Sequence, residues 1–253
     1  MHEMKENIRT LAKLSWVELK LFMREPFTMV FTFALPLLFV FVMGGVFGNE
    51  ADPEFYRGVG PMNYYVSAYI ALTIASIGFV TLPVHLATYR ERGVLRRLRA
   101  SSVSVWLVLG SQIMVSFVIA AIGSVIIILA SVFTYDAQLA EMPGLVLLAF
   151  IIAVLSFAAL GVLLGAVLPN TRAAQGLGLI LFFVVLILGG AGPPREVLNS
   201  AMQFIGDATP LRHAIIMLQD PWLGFGWNTS ESLVVIGIMV VSALLSIRYF
   251  RWD

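Results

Sequence analysis

The chain has 253 residues, 59% of them hydrophobic and 12% charged, and its mean hydropathy is +0.91. That leaves too little polar surface for a water-soluble domain of this length, and a net charge of +1 speaks against a nucleic-acid partner. With no cysteine there is no disulfide, thiolate metal site, iron–sulfur cluster or cysteine nucleophile, and His2, His85 and His213 have no companions at metal-ligand spacing, so neither a metal nor a catalytic residue is expected.

Residues 4–25 read as an amphipathic helix. Ile8, Leu11, Ala12, Ser15, Leu19 and Phe22 share one face beside a basic stripe of Arg9, Lys13, Lys20 and Arg24, as in helices that lie in a membrane interface. Arg24-Glu25-Pro26 ends it, since proline disfavours helix at the residue before it. Such a helix serves either as an anchor on anionic lipid or as a lever against a cytoplasmic partner. Uncharged runs then predict six spans, about 27–47, 62–86, 104–134, 143–169, 173–192 and 230–248. The first is expected to remain as an anchor, because its apolar run is too long for a signal peptide and no A-x-A site follows. Pro36 and Pro83 predict kinks in the first and second spans, and Gly161-x-x-x-Gly165 predicts close helix packing inside the bundle.

Between the second and third spans, residues 88–103 form the most informative loop. On a helix Glu91, Val94, Leu95 and Leu98 fall on one face, flanked by Arg92, Arg96 and Arg99 and by Arg90 and Arg97. A carboxylate on an apolar surface needs a cationic partner once buried, so a docking helix is the expected reading and a plain positive-inside loop the rival. Residues 193–228 are long and greasy for a loop. Val197, Leu198, Ala201, Met202 and Ile205 share one face and Leu211, Ala214, Ile215 and Leu218 another, which predicts two short helices, re-entrant or interfacial. The fold class is therefore an all-α membrane protein, a single domain over 1–253.

Basic residues orient the spans. Thirteen of the 16 fall on the side of the termini, and only Arg57, Arg195 and Arg212 on the other, against nine acids there. Both termini are expected in the cytoplasm. No Asp, Glu, Lys or Arg falls within the uncharged runs behind these spans, the last of which is Ser232 to Ile247 between Glu231 and Arg248; this argues against an ion-coupled transporter or a charge-ring channel, so energy for transport has to come from elsewhere. Lysine occurs only at positions 5, 13 and 20, which rules out a P-loop in this chain. His85 lacks a Gly-x-Ser elbow and a third group, so an intramembrane hydrolase is set aside.

These residues together resemble the integral membrane subunit of ABC-2 type transporters, similar to the daunorubicin-resistance permeases. The resemblance covers nearly the whole chain: Arg24-Glu25-Pro26, Pro36, the loop from Glu91 through Ser104, and Gly-Gly-x-Gly-Pro-Pro-Arg195 leading to Asp207-Ala208-Thr209-Pro210-Leu211. Ser102 departs from the family, where relatives often have proline.

The resemblance implies a permease in the bacterial cell membrane that pairs with a second permease subunit, as homodimer or heterodimer, and with two copies of a separate P-loop ATPase carrying ATP and Mg. It assigns coupling to Glu91, Arg92, Leu95, Arg96, Leu98, Arg99, Ala100, Ser101, Ser102 and Val103, and a connecting helix ending in Lys20, Arg24, Glu25 and Pro26. Arg24 or Lys20 is then the expected cation for Glu91. Thr73, Ile77 and Phe79 on the second span and Phe182, Phe183 and Leu186 on the fifth are the expected cargo path, suited to apolar or amphiphilic compounds. A lipid or lipid-linked glycan is the alternative cargo, for which Trp106, Trp222 and Trp227 are interfacial aromatics. An ATP-independent channel or scaffold is the reading from a different class.

Overall fold

The computed structural model describes residues 2–52, 54–100 and 104–249, with the backbone alone for 2–6, 98, 99 and 105. The described residues are helical with connecting turns. α1 (His2–Phe22) precedes the spans α2 (Pro26–Phe47) and α3 (Pro61–Glu91). Short α4 (Val94–Ala100) leads into α5 (Val105–Tyr135), followed by α6 (Pro143–Val167) and α7 (Thr171–Leu188). Two short helices, α8 (Ser200–Asp207) and α9 (Pro210–Trp222), separate α7 from the last span, α10 (Thr229–Tyr249). Among the described residues, six helices are long and apolar enough to cross a membrane: α2, α3, α5, α6, α7 and α10.

α3 is the axis of the bundle. Its most apolar 18-residue window is entirely buried by the rest of the chain, against 22% for α2 and for α10. α2, α5, α6, α7 and α9 all pack against it, and α10 lies on α6. Glycines permit this closeness: a Cβ on Gly161 of α6 would come within 2.8 Å of the Gly78 carbonyl oxygen, and one on Gly165 within 2.8 Å of Leu86 Cβ. The Gly-x-x-x-Gly pair is thus an internal seam between α6 and α3.

Three boundaries differ from the sequence reading. α3 continues to Glu91, well into the stretch read as loop, and breaks at Gly93, whose φ of +65° is open to glycine at little cost. Glu91 and the apolar pair Val94 and Leu95 therefore sit on different helices. α7 ends at Leu188 rather than near 192, where Gly189 and Gly190 release the chain. Val197 and Leu198 fall outside α8, while Leu211, Ala214, Ile215 and Leu218 form the buried face of α9. Trp222, read as an interfacial aromatic, is buried at 4% exposure.

Both proline kinks take the form of a π-helical turn. In α2 it spans Val30–Ala34 and in α3 Ile77–Thr81, each ending two residues before its proline, Pro36 and Pro83. A proline clashes with the carbonyl four residues earlier and cannot bond to it; widening the turn relieves the clash. The Leu35 and Leu82 N–H groups accordingly reach back five residues, to Val30 and Ile77.

Candidate coupling face and transport cleft

At one end of the bundle, here termed proximal, α1, α4 and the α6–α7 turn meet the last turns of α3. Leu11, Leu14, Ser15, Leu19 and Phe22 turn inward on α1, with Glu18 among them. Glu18 is 4% exposed, and its carboxylate lies 2.5 Å from His85 Nε2 on α3. The His85 ring packs on Tyr89 at 4.3 Å between centroids. Beside them is a water-sized cavity of about 20 Å³, into whose lining Gln112 brings a buried amide nitrogen without a protein partner. The rule that an acid on an apolar face needs a partner thus applies to Glu18, which the sequence reading passed over. Ile8 and Ala12, assigned to the buried face, are exposed.

Glu91 has a different environment from the one expected. It is exposed and accepts hydrogen bonds from the Thr171 backbone N–H at 3.2 Å and from the Thr171 hydroxyl at 2.6 Å. Arg24 and Lys20 are exposed and make no ion pair with it; the Lys20 ammonium lies over the Trp16 ring at 5.0 Å. The carboxylate therefore sits at the first turn of α7, where the helix dipole is positive. Next to it, the Arg90 guanidinium donates to the Ala166 carbonyl at 3.2 Å and to that of Leu168, at the negative end of α6. The last turn of α3 thus grips one helix end with each sign of charge. Thr88 adds a hydroxyl contact to Thr171 at 3.1 Å.

α4 is held to this platform by Leu95, 2% exposed against Tyr89 and Val108, while Arg92, Arg96, Arg97 and Ala100 are exposed. Ser101, Ser102 and Val103 lie outside the described residues, as do the side chains of Leu98 and Arg99. Glu25 is half-buried and stands before α2, its backbone carbonyl accepting from the Thr28 hydroxyl at 2.9 Å, and Pro26 opens the helix.

In the middle of the bundle the two π turns face each other. Thr32 Oγ1 is 3.2 Å from Thr81 Oγ1 and 3.1 Å from Ser76 Oγ, all in buried surroundings. The widened turn of α3 is also wedged between its neighbours. Phe79 packs edge-on against Phe157 of α6 at 5.7 Å, and its carbonyl, deprived of a donor by Pro83, abuts Gly178 of α7. Phe31, in the π turn of α2, meets Phe182 and Phe183 of α7 at 6.0 and 6.1 Å.

The distal end opens into a cleft of about 1200 Å³ formed by α2, the α2–α3 linker, the end of α7 and Gly192-Pro193-Pro194. Of the residues expected to form a cargo path, Phe183 and Leu186 line it. Thr73, Ile77, Phe79 and Phe182 do not line it and are buried in the bundle, each at 4% exposure or less, with Ile77 bordering the small proximal cavity. The aromatic wall from α2 and the linker was missed, because nothing in an isolated apolar run distinguishes a cleft-facing phenylalanine from a packed one. Beside the cleft, Tyr65 donates to the Gly192 carbonyl at 3.0 Å and Gln219 of α9 donates to the Tyr64 carbonyl at 2.9 Å. The Arg195 guanidinium holds the Asp207 carboxyl below its ordinary range, with Arg212 adding to it.

The family model for the ABC-2 type transporter matches residues 10–223, from α1 through the end of α9. The transport permease YvfS of Bacillus subtilis (strain 168) is 24% identical over 249 residues, covering 96% of this chain and 98% of its own length. A multidrug ABC transporter permease by name, YbhR of Escherichia coli (strain K12), is 25% identical over 187 residues, 71% of this chain and 50% of its own. The transport permease ycf38 of Porphyra purpurea is 24% identical over 231 residues, 90% of this chain and 79% of its own. A buried, jointed central span tied at its proximal end to two other spans, together with a match that runs through all of these elements, makes this chain a member of the ABC-2 type transporter family, a multi-pass membrane protein of the permease type.

Proposed function

We propose that the chain is the membrane subunit of an ATP-driven exporter that moves apolar or amphiphilic compounds out across the cell membrane by alternating access. The proximal end is the cytoplasmic one on this reading, in keeping with the 13 basic residues on that side. ATP and Mg bind on two copies of a separate ATPase, and a second permease subunit completes the pathway.

The observation that carries the reading is the mechanical continuity from α4 to the cleft. A push on α4 passes through Leu95 to the last turn of α3, whose Glu91 holds the first turn of α7. α7 lines the cleft at its far end through Phe183 and Leu186, so tilting it changes the shape of the cleft. Arg92, Arg96 and Arg99, with Ala100 and the residues from Ser101 to Val103, are the proposed contact for the ATPase.

Glu91→Ala removes the acceptor for both Thr171 donors. Transport-coupled ATP hydrolysis by the purified complex is expected to fall about two- to thirtyfold, the range of a coupling energy carried by one contact, with membrane insertion unchanged. An unaltered rate removes Glu91 from the coupling path, and a chain that purifies without an ATPase removes the pump reading altogether.

A lipid or lipid-linked glycan is the second reading of the cargo. A groove of about 680 Å³ between α5, α6 and α10, lined from Trp106 and Gly110 to Ala243 and Ile247, has the apolar character of an acyl-chain site. Stimulation of hydrolysis by lipid rather than by soluble amphiphiles decides in its favour.

A further inference from the structure

The distal cleft combines two kinds of lining. Its walls are aromatic, with Phe39 and Phe47 from α2, Phe55 and Tyr56 from the linker and Phe183 from α7. Glu50 and Asp52 are its acids. The Asp52 carboxylate accepts the backbone N–H groups of Glu54 at 2.9 Å and Phe55 at 3.3 Å, which fixes its position.

The nearby cations are engaged elsewhere. Arg57 pairs with Asp220 at 2.6 Å and lies over the Phe225 ring, while Arg195 and Arg212 both pair with Asp207. Neither Glu50 nor Asp52 has a basic partner among the described residues. Negative potential extends into the aromatic wall: the Tyr56 phenol is pushed up by burial and further by the charges of Asp52 and Glu196.

Carboxylates attract a cation over several ångströms, and aromatic faces hold it through their quadrupole. An anion of the same shape is repelled by both. A wholly apolar ligand would use the walls and gain nothing from the two acids.

We propose that this cleft binds amphiphilic organic cations, with the apolar body between the α2 and α7 aromatics and the positive centre toward Glu50 and Asp52. The inference rests on the transport reading above and narrows its cargo by sign of charge. The same two residues make recognition sensitive to ionic strength, because they stand where the cleft meets solvent.

The test uses the permease–ATPase complex in lipid nanodiscs, with empty nanodiscs to subtract partitioning into lipid. Tetraphenylphosphonium and tetraphenylborate are matched in shape and opposite in charge, and triphenylphosphine oxide is a neutral comparison. Without nucleotide, the complex is expected to bind the phosphonium in preference to the borate. The double variant Glu50→Gln, Asp52→Asn is expected to weaken phosphonium binding roughly tenfold, the scale for two solvent-facing charges about 6 Å from the cation at a water-like dielectric, and to leave the neutral compound unchanged. The amide oxygen introduced by Asp52→Asn still accepts the two backbone N–H groups, so the linker turn survives the change, and retained binding of the neutral compound reports an intact cleft.

Equal binding of the two ions, or phosphonium binding that the double variant does not alter, overturns the proposal. So does protection of the cleft by a second copy of the chain, seen as crosslinking between two Glu50→Cys chains with no binding of any probe. ATP hydrolysis measured on the same sample reports separately on the pump: cation-selective binding without ATPase activity overturns the exporter reading and keeps the site.

Discussion

α2 and α3 contain the same joint in opposite surroundings. Each has a five-residue π turn that ends two residues before a proline, and the two turns touch through Thr32, Ser76 and Thr81. Around α3 the joint is enclosed by α6 and α7, with Gly78, Gly161 and Gly178 all at backbone contact. Around α2 it is open on one side, where Val30 is 48% exposed. A bend in α3 therefore has to displace its neighbours, whereas α2 can bend toward lipid or a second subunit. On the proposed mechanism, the enclosed joint is the one to transmit motion and the open one to accommodate it.

The largest effect is expected where the enclosed joint is tightest. Gly178→Val drives a branched side chain into the Phe79 carbonyl, which belongs to the backbone and cannot swing aside. Overpacking of this kind costs about 3 kcal/mol, to be read as a lower thermal midpoint of the purified permease. Gly176→Val is the matching control on the same helix, since a Cβ there meets nothing within 4 Å. If both variants lose stability equally, the contact between α7 and the α3 joint is not what holds them together.

The difference between these joints was only partly legible in the sequence. Pro36 and Pro83 announce a disturbance in each helix, and the apolar runs locate the spans, because proline chemistry and hydrocarbon thickness act locally. Which span is central is a tertiary property: α3 is the least uniformly apolar of the six by hydropathy, 1.9 against 2.9 for α5, yet it is the most buried. Tyr65, Ser67, Thr73, Ser76 and Thr88 find hydrogen-bond partners inside the bundle, although the buried Tyr69 phenol does not, and such residues lower hydropathy without marking exposure. Glu91 and Glu18 show the same limit. An acid shares an apolar face with Val94, Leu95 and Leu98 only if one helix runs through Gly93, and α3 breaks there. The need of such an acid for a partner is met elsewhere, at Glu18, four residues before Phe22 on the inward stripe of α1, whose partner His85 lies 67 positions away.

A smaller effect is expected from the prolines themselves. Pro83→Ala restores an N–H within reach of the Phe79 carbonyl and favours tightening of the π turn, which rotates the following residues, Glu91 among them, relative to α7. Pro36→Ala makes the same local change in α2, where the neighbours do not resist. Transport-coupled ATP hydrolysis is expected to fall at least about fivefold more in Pro83→Ala than in Pro36→Ala, within the range of single-site coupling energies. Equal losses in the two variants would make the joints equivalent and would remove the distinction between a transmitting and an accommodating span.

The smallest effect concerns the link between them. Thr32→Val keeps the shape of the side chain and removes the hydroxyl that meets both Thr81 and Ser76. Ser76 retains the Thr73 carbonyl at 2.8 Å, so Thr81 is the group left without its side-chain partner across the helix pair. The expected loss is about 1 kcal/mol, and a cycle of Thr32→Val, Thr81→Val and the double variant is expected to give a coupling of about 0.6 kcal/mol, typical of hydrogen bonds between membrane helices. Thr73→Val supplies the contrast, because its hydroxyl bonds only to the Tyr69 carbonyl within α3, at 3.0 Å. Stability changes alone do not separate a linked pair of joints from two adjacent ones, so the cycle is also run on transport-coupled hydrolysis. Non-additivity there, with Thr73→Val near the native rate, is the result expected if the two π turns bend together; strictly additive losses mean that each span bends independently.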